Sequence, residues 1–246
     1  MRWPYPRVIA HRGGGSCAPE NTLAALRAGH ARGFHAVEFD VMLSADSQPV
    51  LIHDETLERT TSGRGAVAAT PWSTLATLDA GSWFSSDFRG EPLPAFTAAA
   101  TLCLELGLLA NVEIKPASGQ ARQTGHIVAS QARALWEGAP VPPLLSSFEE
   151  AALQAAQAAA PSLPRALIFD AIPADWKPRA QALGCIAIHC NAAHLDISMA
   201  DAILGAGYAL AAWTVNDVAS ARQLFNWGVT AVFTDRLDLI SPDFPG

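Results

Sequence analysis

Three stretches in the first third of the chain end in side chains equipped for chemistry: Ala10-His11-Arg12-Gly13, Val37-Glu38-Phe39-Asp40 and Ile52-His53-Asp54. Each follows an apolar run, Val8-Ile9, Ala36-Val37 and Val50-Leu51-Ile52. Such runs read as short buried strands whose polar residues emerge at the tip. Glu38 and Asp40 are two apart, so on a strand they project to one face. Carboxylates that close repel unless a cation sits between them or one binds a proton. Glu113 and Lys115 repeat the spacing further on. The three carboxylates Glu38, Asp40 and Glu113 are hard oxygen ligands, suited to Mg²⁺ or Ca²⁺ more than to Zn²⁺. Arg12 and Lys115 would hold an anion beside that cation, and phosphate fits their geometry. His11 and His53 would then share proton transfer, one as base and one as acid.

These residues need a scaffold that brings strand tips together. The pattern predicts core strands near residues 8, 37, 111, 144, 167, 186, 210 and 232, with an extra strand near 50. Helices are expected from Pro19-Glu20-Asn21-Thr22 to about Arg32, then near 95–106, 120–137, 149–159, 175–183, 198–205 and 218–227. Strands alternating with helices at this spacing argue for parallel βα units, and eight of them for a closed (β/α)₈ barrel. An open doubly wound sheet is the rival, but no GxGxxG follows the first strand. On the barrel reading His11, Arg12, Glu38, Asp40, Glu113, Lys115, Ser147, Phe169, His189, Trp213 and Asp235 all gather at the C-terminal face of the strands. The rhythm breaks between about 55 and 94. That stretch is rich in Gly and Pro and carries Trp72, Trp83, Phe84 and Phe88, so it reads as an inserted, loop-rich subdomain too aromatic to stay solvated. The whole chain, 1–246, is taken as one domain with this insertion.

Composition narrows the partners. Of 246 residues, 50% are hydrophobic and 16% charged, enough for a large core, and the net charge of −7 argues against a nucleic-acid face. The four cysteines Cys17, Cys103, Cys185 and Cys190 form no CxxC pair and read as reduced thiols. The N-terminal stretch from Met1 to Pro6 lacks the apolar segment of a signal peptide, and no run reaches the length of a membrane span. A cytoplasmic protein without stable membrane insertion is therefore expected, with oligomeric state open. Some residues keep ordinary readings: His30, His35, His126 and His194 as hydrogen-bonding residues, Trp213 as a core or rim aromatic and Asp235 as a turn or cap residue, while His189 is a pocket candidate.

The combination resembles the glycerophosphodiester phosphodiesterases, whose pattern is His-Arg, Glu-x-Asp and His. Here these are His11-Arg12, Glu38-Phe39-Asp40 and His53. The surrounding text also matches: Ala18-Pro19-Glu20-Asn21-Thr22, Arg59-Thr60-Thr61-Ser62-Gly63, Val112-Glu113-Ile114-Lys115, Ala212-Trp213-Thr214-Val215-Asn216 and Phe233-Thr234-Asp235. One departure is Leu237, where the family often has proline. The resemblance implies a (β/α)₈ barrel with a small insertion after the second strand region. It implies one divalent cation, Mg²⁺ or Ca²⁺, at Glu38, Asp40 and Glu113. It further implies catalytic His11 and His53, phosphate-binding Arg12 and Lys115, and Trp213 near the glycerol part of the substrate.

The expected reaction is hydrolysis of a small glycerophosphodiester, such as glycerophosphocholine or glycerophosphoethanolamine, to sn-glycerol 3-phosphate and an alcohol. His11 is taken as the base and His53 as the acid. Two other readings compete: phospholipase D-like action on lysophospholipids, and a non-catalytic glycerophosphodiester-binding barrel.

Overall fold

Apolar runs of three to eight residues, too short for helices and separated by helical periods, build a parallel barrel in the computed structural model, which describes residues 3–245. Met1 and Arg2, which begin the N-terminal stretch read above, and Gly246 lie outside the described residues. The elements in order are β1 (Val8–Ala10), α1 (Leu23–Ala31), β2 (Ala36–Leu43), β3 (Pro49–Leu51), α2 (Trp72–Leu75), α3 (Phe96–Leu106), β4 (Leu109–Ile114) and α4 (Ala121–Leu135). They continue with β5 (Leu144–Ser147), α5 (Glu150–Ala159), β6 (Arg165–Phe169), α6 (Trp176–Ala182), β7 (Ala187–Asn191), α7 (Ile197–Gly205), β8 (Ala209–Trp213), α8 (Val218–Asn226) and β9 (Ala231–Thr234).

Parallel ladders run β1-β9-β8-β7-β6-β5-β4-β2, and Ala10 opposite Val37 closes β1 on β2. The expected eight-stranded barrel is therefore present, and β3 is an antiparallel addition outside it, with Val41 opposite Leu51. The main core lies between the strands and the helical ring, where Val8, Phe39, Val112, Leu145, Leu167, Ile188, Leu210 and Val232 meet helix residues such as Phe96, Ala129 and Leu153. The Ala-rich α5 is an ordinary packed helix. It lies so close to α4 that a Cβ on Gly125 would stand 2.1 Å from the carbonyl of Ala152. No helix among the described residues is long and apolar enough to cross a membrane.

Two boundaries differ from expectation. The helix expected from Pro19 starts at Leu23, because Thr22 caps it: its Oγ accepts the Ala25 N–H at 3.1 Å. Asn21 is thereby left outside the helix, at φ 57°. The strand expected near 186 starts only at Ala187, because Cys185 N–H turns back to Ala180 at 3.0 Å and closes α6. Because β7 runs on to Asn191, His189 sits in mid-strand rather than at a tip.

Residues between β3 and α3 have their own small core of Ile52, Leu57, Val67, Leu75, Ala80 and Leu93, joined by Met42 and Val50. Its fully buried members are not aromatic, but Trp72 packs half-buried against it, and Phe84 and Phe88 are half-buried too. Trp83 is 40% exposed, and Trp83, Phe84 and Phe88 stack edge to face at 5.7 and 5.6 Å beside this core.

Candidate active site

Strand β2 supplies Glu38 and Asp40 to the barrel interior, and the ladder to β4 sets Asp40 directly beside Glu113. One oxygen from each of Glu38, Asp40 and Glu113 lies within 4.8 Å of the others. Burial, then the charges of Asp40 and Glu113, push the Glu38 carboxyl well above the usual carboxylate range. Burial and Asp40 likewise push Glu113 up to about 8. Asp40 goes the other way. Burial opposes its charge, but Lys115, His53, Arg12 and a hydrogen bond from Asn21 hold it below its ordinary value. The Asn21 side chain both donates to Asp40 Oδ2 at 2.8 Å and accepts its backbone N–H at 3.0 Å. Glu38 Oε1 is buried without a hydrogen-bond partner. An unmade bond of that kind costs about 1–3 kcal/mol. Two buried carboxylates and the half-buried Glu113, with an orphaned acceptor on Glu38, fit a hard divalent cation.

Arg12 stands at the tip of β1 with φ 51°, a left-handed conformation that costs a non-glycine residue free energy. Its backbone N–H donates to Glu38 Oε2 at 2.9 Å, and Nη1 to Glu20 Oε1 at 2.7 Å. Its Nε, 3.9 Å from Asp40, is buried without a hydrogen bond. Lys115 Nζ lies 3.7 Å from Asp40 on the other side. The loop after Arg12 presses onto the end of β9: a Cβ on Gly15 would lie 2.3 Å from the Asp235 carbonyl.

Each histidine is held by a carboxylate. His11 Nδ1 pairs with Asp235 Oδ1 at 2.8 Å, and Asp235 is fixed by Asn216, whose Nδ2 donates to Oδ2 at 3.0 Å. Asn216 Oδ1 also accepts the Asp235 backbone N–H at 2.8 Å. His53 Nδ1 pairs with Asp54 Oδ1 at 2.7 Å. Arg59 spans Asp54 and Glu20, reaching both Glu20 oxygens at 2.8 Å. Glu20 therefore links Arg59 to Arg12. With Nδ1 committed, Nε2 of each imidazole is the nitrogen left for chemistry. Burial, with the charges of Arg12 and Lys115, lowers the His53 pKa against the opposing pull of Asp40 and Asp54 and so favours the neutral ring.

All eight residues selected from the sequence, His11, Arg12, Glu38, Asp40, His53, Glu113, Lys115 and Trp213, line one cavity of about 190 Å³. Phe148 meets Trp213 edge to face at 5.6 Å, and Trp213 Nε1 is buried without a partner. Three of the expected strand-tip residues do not line this space: Asp235, which holds His11 from behind, Ser147 and Phe169. Ser147 Oγ donates to the Ile114 carbonyl at 2.6 Å and accepts Glu149 N–H, a structural tie. Phe169 points outward under the Arg179 guanidinium, so Ile168 lines the cavity in its place. His30, His35, His126 and His194 are exposed and lie outside the cavity lining. His11, Arg12 and Thr214 also border a second cleft of about 330 Å³, walled opposite by Trp83 and Phe84.

Sequence reasoning did not assign Asp54, Asp235, Asn216, Glu20 and Arg59 their orienting contacts. Asp235 was read as a turn or cap. Their only signal was position inside the motif text, which does not say what they touch.

Comparison with known proteins agrees with this geometry. The model of the glycerophosphoryl diester phosphodiesterase family matches residues 11–239. A glycerophosphodiester phosphodiesterase of Caldanaerobacter subterraneus subsp. tengcongensis is 31% identical over 229 residues, covering 93% of both chains. The structure of an Oleispira antarctica phosphodiesterase, in complex with the product sn-glycerol-3-phosphate, superposes with a TM-score of 0.89 at 38% identity, covering 94% of this chain and 93% of that one. A glycerophosphodiester phosphodiesterase from Agrobacterium tumefaciens gives 0.79 at 28% identity, covering 97% and 98%. Nearly the full length of the barrel, including every residue of the carboxylate and histidine cluster, falls inside these matches, and the chain belongs to the glycerophosphoryl diester phosphodiesterase family as one of its enzymes.

Proposed function

We propose that the enzyme hydrolyses small glycerophosphodiesters, such as glycerophosphocholine or glycerophosphoethanolamine, to sn-glycerol 3-phosphate and an alcohol, with one divalent cation and two histidines. The observation that carries this reading is the arrangement itself: two carboxylate-held imidazoles and two cationic side chains around three clustered carboxylates in one cavity. Glu38, Asp40 and Glu113 would hold the cation, which supplies positive charge to the phosphoryl oxygens when bound. Arg12 and Lys115 bind the phosphate and offset its growing charge. The second cleft, walled by Trp83 and Phe84 of the 55–94 insertion, takes the leaving alcohol.

Proton transfer falls to the two imidazoles. A neutral ring is needed to accept the nucleophile's proton, and burial favours that form of His53. We therefore exchange the roles taken from the sequence: His53 is the base and His11 the acid. As the bond from phosphorus to the alcohol oxygen breaks, His11 gives that oxygen its proton. The nucleophile is water or the substrate's own glycerol hydroxyl, the latter giving a cyclic phosphate first and gaining from proximity.

A coupled assay for glycerol 3-phosphate from glycerophosphocholine tests the reading, with EDTA and with Mg²⁺ or Ca²⁺ added back. Product that stops with EDTA and returns with one cation is the expected result. No product with either cation, from folded protein, rejects it. Release of choline from lysophosphatidylcholine alone would shift the assignment to lysophospholipids, for which the exposed Trp83 wall would be the acyl contact.

A further inference from the structure

The inner end of the cavity is apolar apart from one imidazole and the amide of Asn111, whose Nδ2 donates to Ser146 Oγ at 3.0 Å and whose Oδ1 is buried without a partner. His189 stands in mid-strand on β7, beside Ile168 of β6 and Ala211 of β8 in the ladders, with the Phe233 ring 5.1 Å away. It lines the cavity, is 1% exposed, and its Nε2 has no hydrogen-bond partner among the described residues. Trp213 is two residues past Ala211 and so shares the inward face. Its Nε1 is likewise buried and unpartnered. Buried polar groups are nearly always satisfied, and an apolar ring of similar shape would be cheaper here. The mechanism above uses neither nitrogen. The cavity is the direction from which a partner can arrive.

We propose that His189 hydrogen-bonds a hydroxyl of the glycerol moiety, with Trp213 Nε1 beside it, and so selects polyol phosphoesters. This rests on the glycerophosphodiester reading above and adds the residue that recognises the non-reacting end. Burial holds the His189 pKa down at about 3, so the ring stays neutral and offers one donor and one acceptor. A hydroxyl can meet either, whereas a phosphate would call for charge. The phosphate has its own cations, Arg12 after β1 and Lys115 after β4. Phosphate and hydroxyl recognition thus come from different walls of the cavity.

Calorimetry on the Mg²⁺-loaded protein tests this, with sn-glycerol 3-phosphate and inorganic phosphate as separate titrants. His189→Leu should weaken glycerol 3-phosphate by about tenfold or more and leave phosphate within about twofold. His189→Gln, which keeps a hydrogen-bonding head, should recover part of the loss. Because the unpaired imidazole destabilises the empty site, the ligand-free Leu variant should melt at or above the wild-type Tm. Equal changes for both titrants, no change for either, or a lowered Tm in both variants would overturn the proposal. Wild-type protein that binds glycerol 3-phosphate no better than phosphate would instead sink the glycerol reading and this inference with it. Unchanged glycerol 3-phosphate binding in the Leu variant, beside wild-type turnover of glycerophosphocholine, would sink this inference alone.

Discussion

The two halves of the active site build the same device by different routes. On one side His11 is held by Asp235, which arrives 224 residues later through the ladder that sets Ala10 opposite Thr234. On the other, His53 is held by the very next residue, Asp54, and braced by Arg59 and Glu20. His11 is the more enclosed side chain, 16% exposed against 30% for His53. One dyad exists only when the barrel has closed. The other is a loop structure leaning on the barrel. Equal geometry therefore conceals unequal dependence on the fold.

The largest effects break the pair apart. His11→Ala and His53→Ala should each lower kcat on glycerophosphocholine by about 10²–10⁴-fold, the usual range for a lost acid or base. Circular dichroism should show both variants folded. The leaving group then separates them. A nitrophenolate departs without protonation, so a nitrophenyl phosphodiester should spare His11→Ala and still penalise His53→Ala. The reverse pattern would restore His11 as the base.

Smaller effects test the supports. Asp235→Asn and Asp54→Asn keep shape but lose the charge that orients each imidazole, and about 10- to 100-fold in activity is expected for each. Asp235→Asn should also lower Tm, since Asp235 ties Asn216 to the closing strand. Asp54→Asn should not. Arg59→Ala is expected to cost only a few-fold, and less as salt rises, because Arg59 is 44% exposed and its ion pairs are screened. An Arg59→Ala loss as large as that of Asp54→Asn would mean that the local half depends on its brace as strongly as the other depends on the barrel.

The same contrast explains what could be read from the sequence. Strand positions were legible because a barrel strand is apolar on both faces, and Glu38, Asp40 and Glu113 were legible because an i, i+2 carboxylate pair breaks that rule. The start of β7 was not, since Cys185-Ile186 looks like strand whether it pairs or closes α6. Phe169 was misplaced by one step of strand parity, which sends it outward and Ile168 inward. Asp54 could be suspected from adjacency to His53. No local pattern joins Asp235 to His11 across the closed barrel. Nor does hydrophobicity tell that Leu57, Val67 and Leu75 fill the insertion while Trp83 faces a cleft.

The smallest predicted effect extends the comparison into the carboxylate cluster. Glu38 has its pKa raised by burial and its carboxylate neighbours, whereas Asp40, despite burial, is lowered by Lys115, His53, Arg12 and the Asn21 hydrogen bond. Glu113 is raised from 4.5 to about 8. A raised carboxyl keeps its proton in the folded state while the unfolded chain releases it. Its contribution to stability is therefore full below about pH 4.5 and is lost as pH rises through about 8. Asp40 has the opposite sign: its contribution is present above 3.8 and is lost only as pH falls through its lower folded value. His189, held down at about 3, and His53, also lowered, have the same sign as Asp40 up to their ordinary 6.5, so the glutamates govern the slope between about pH 6.5 and 8. The metal-free protein should thus lose a few degrees of Tm across that window. Glu113→Gln should flatten the decline, and Mg²⁺ or Ca²⁺ should reverse it at pH 8 by binding the ionised cluster. A Glu113→Gln variant that keeps both the slope and the cation response would show that Glu113 is not part of the cation site.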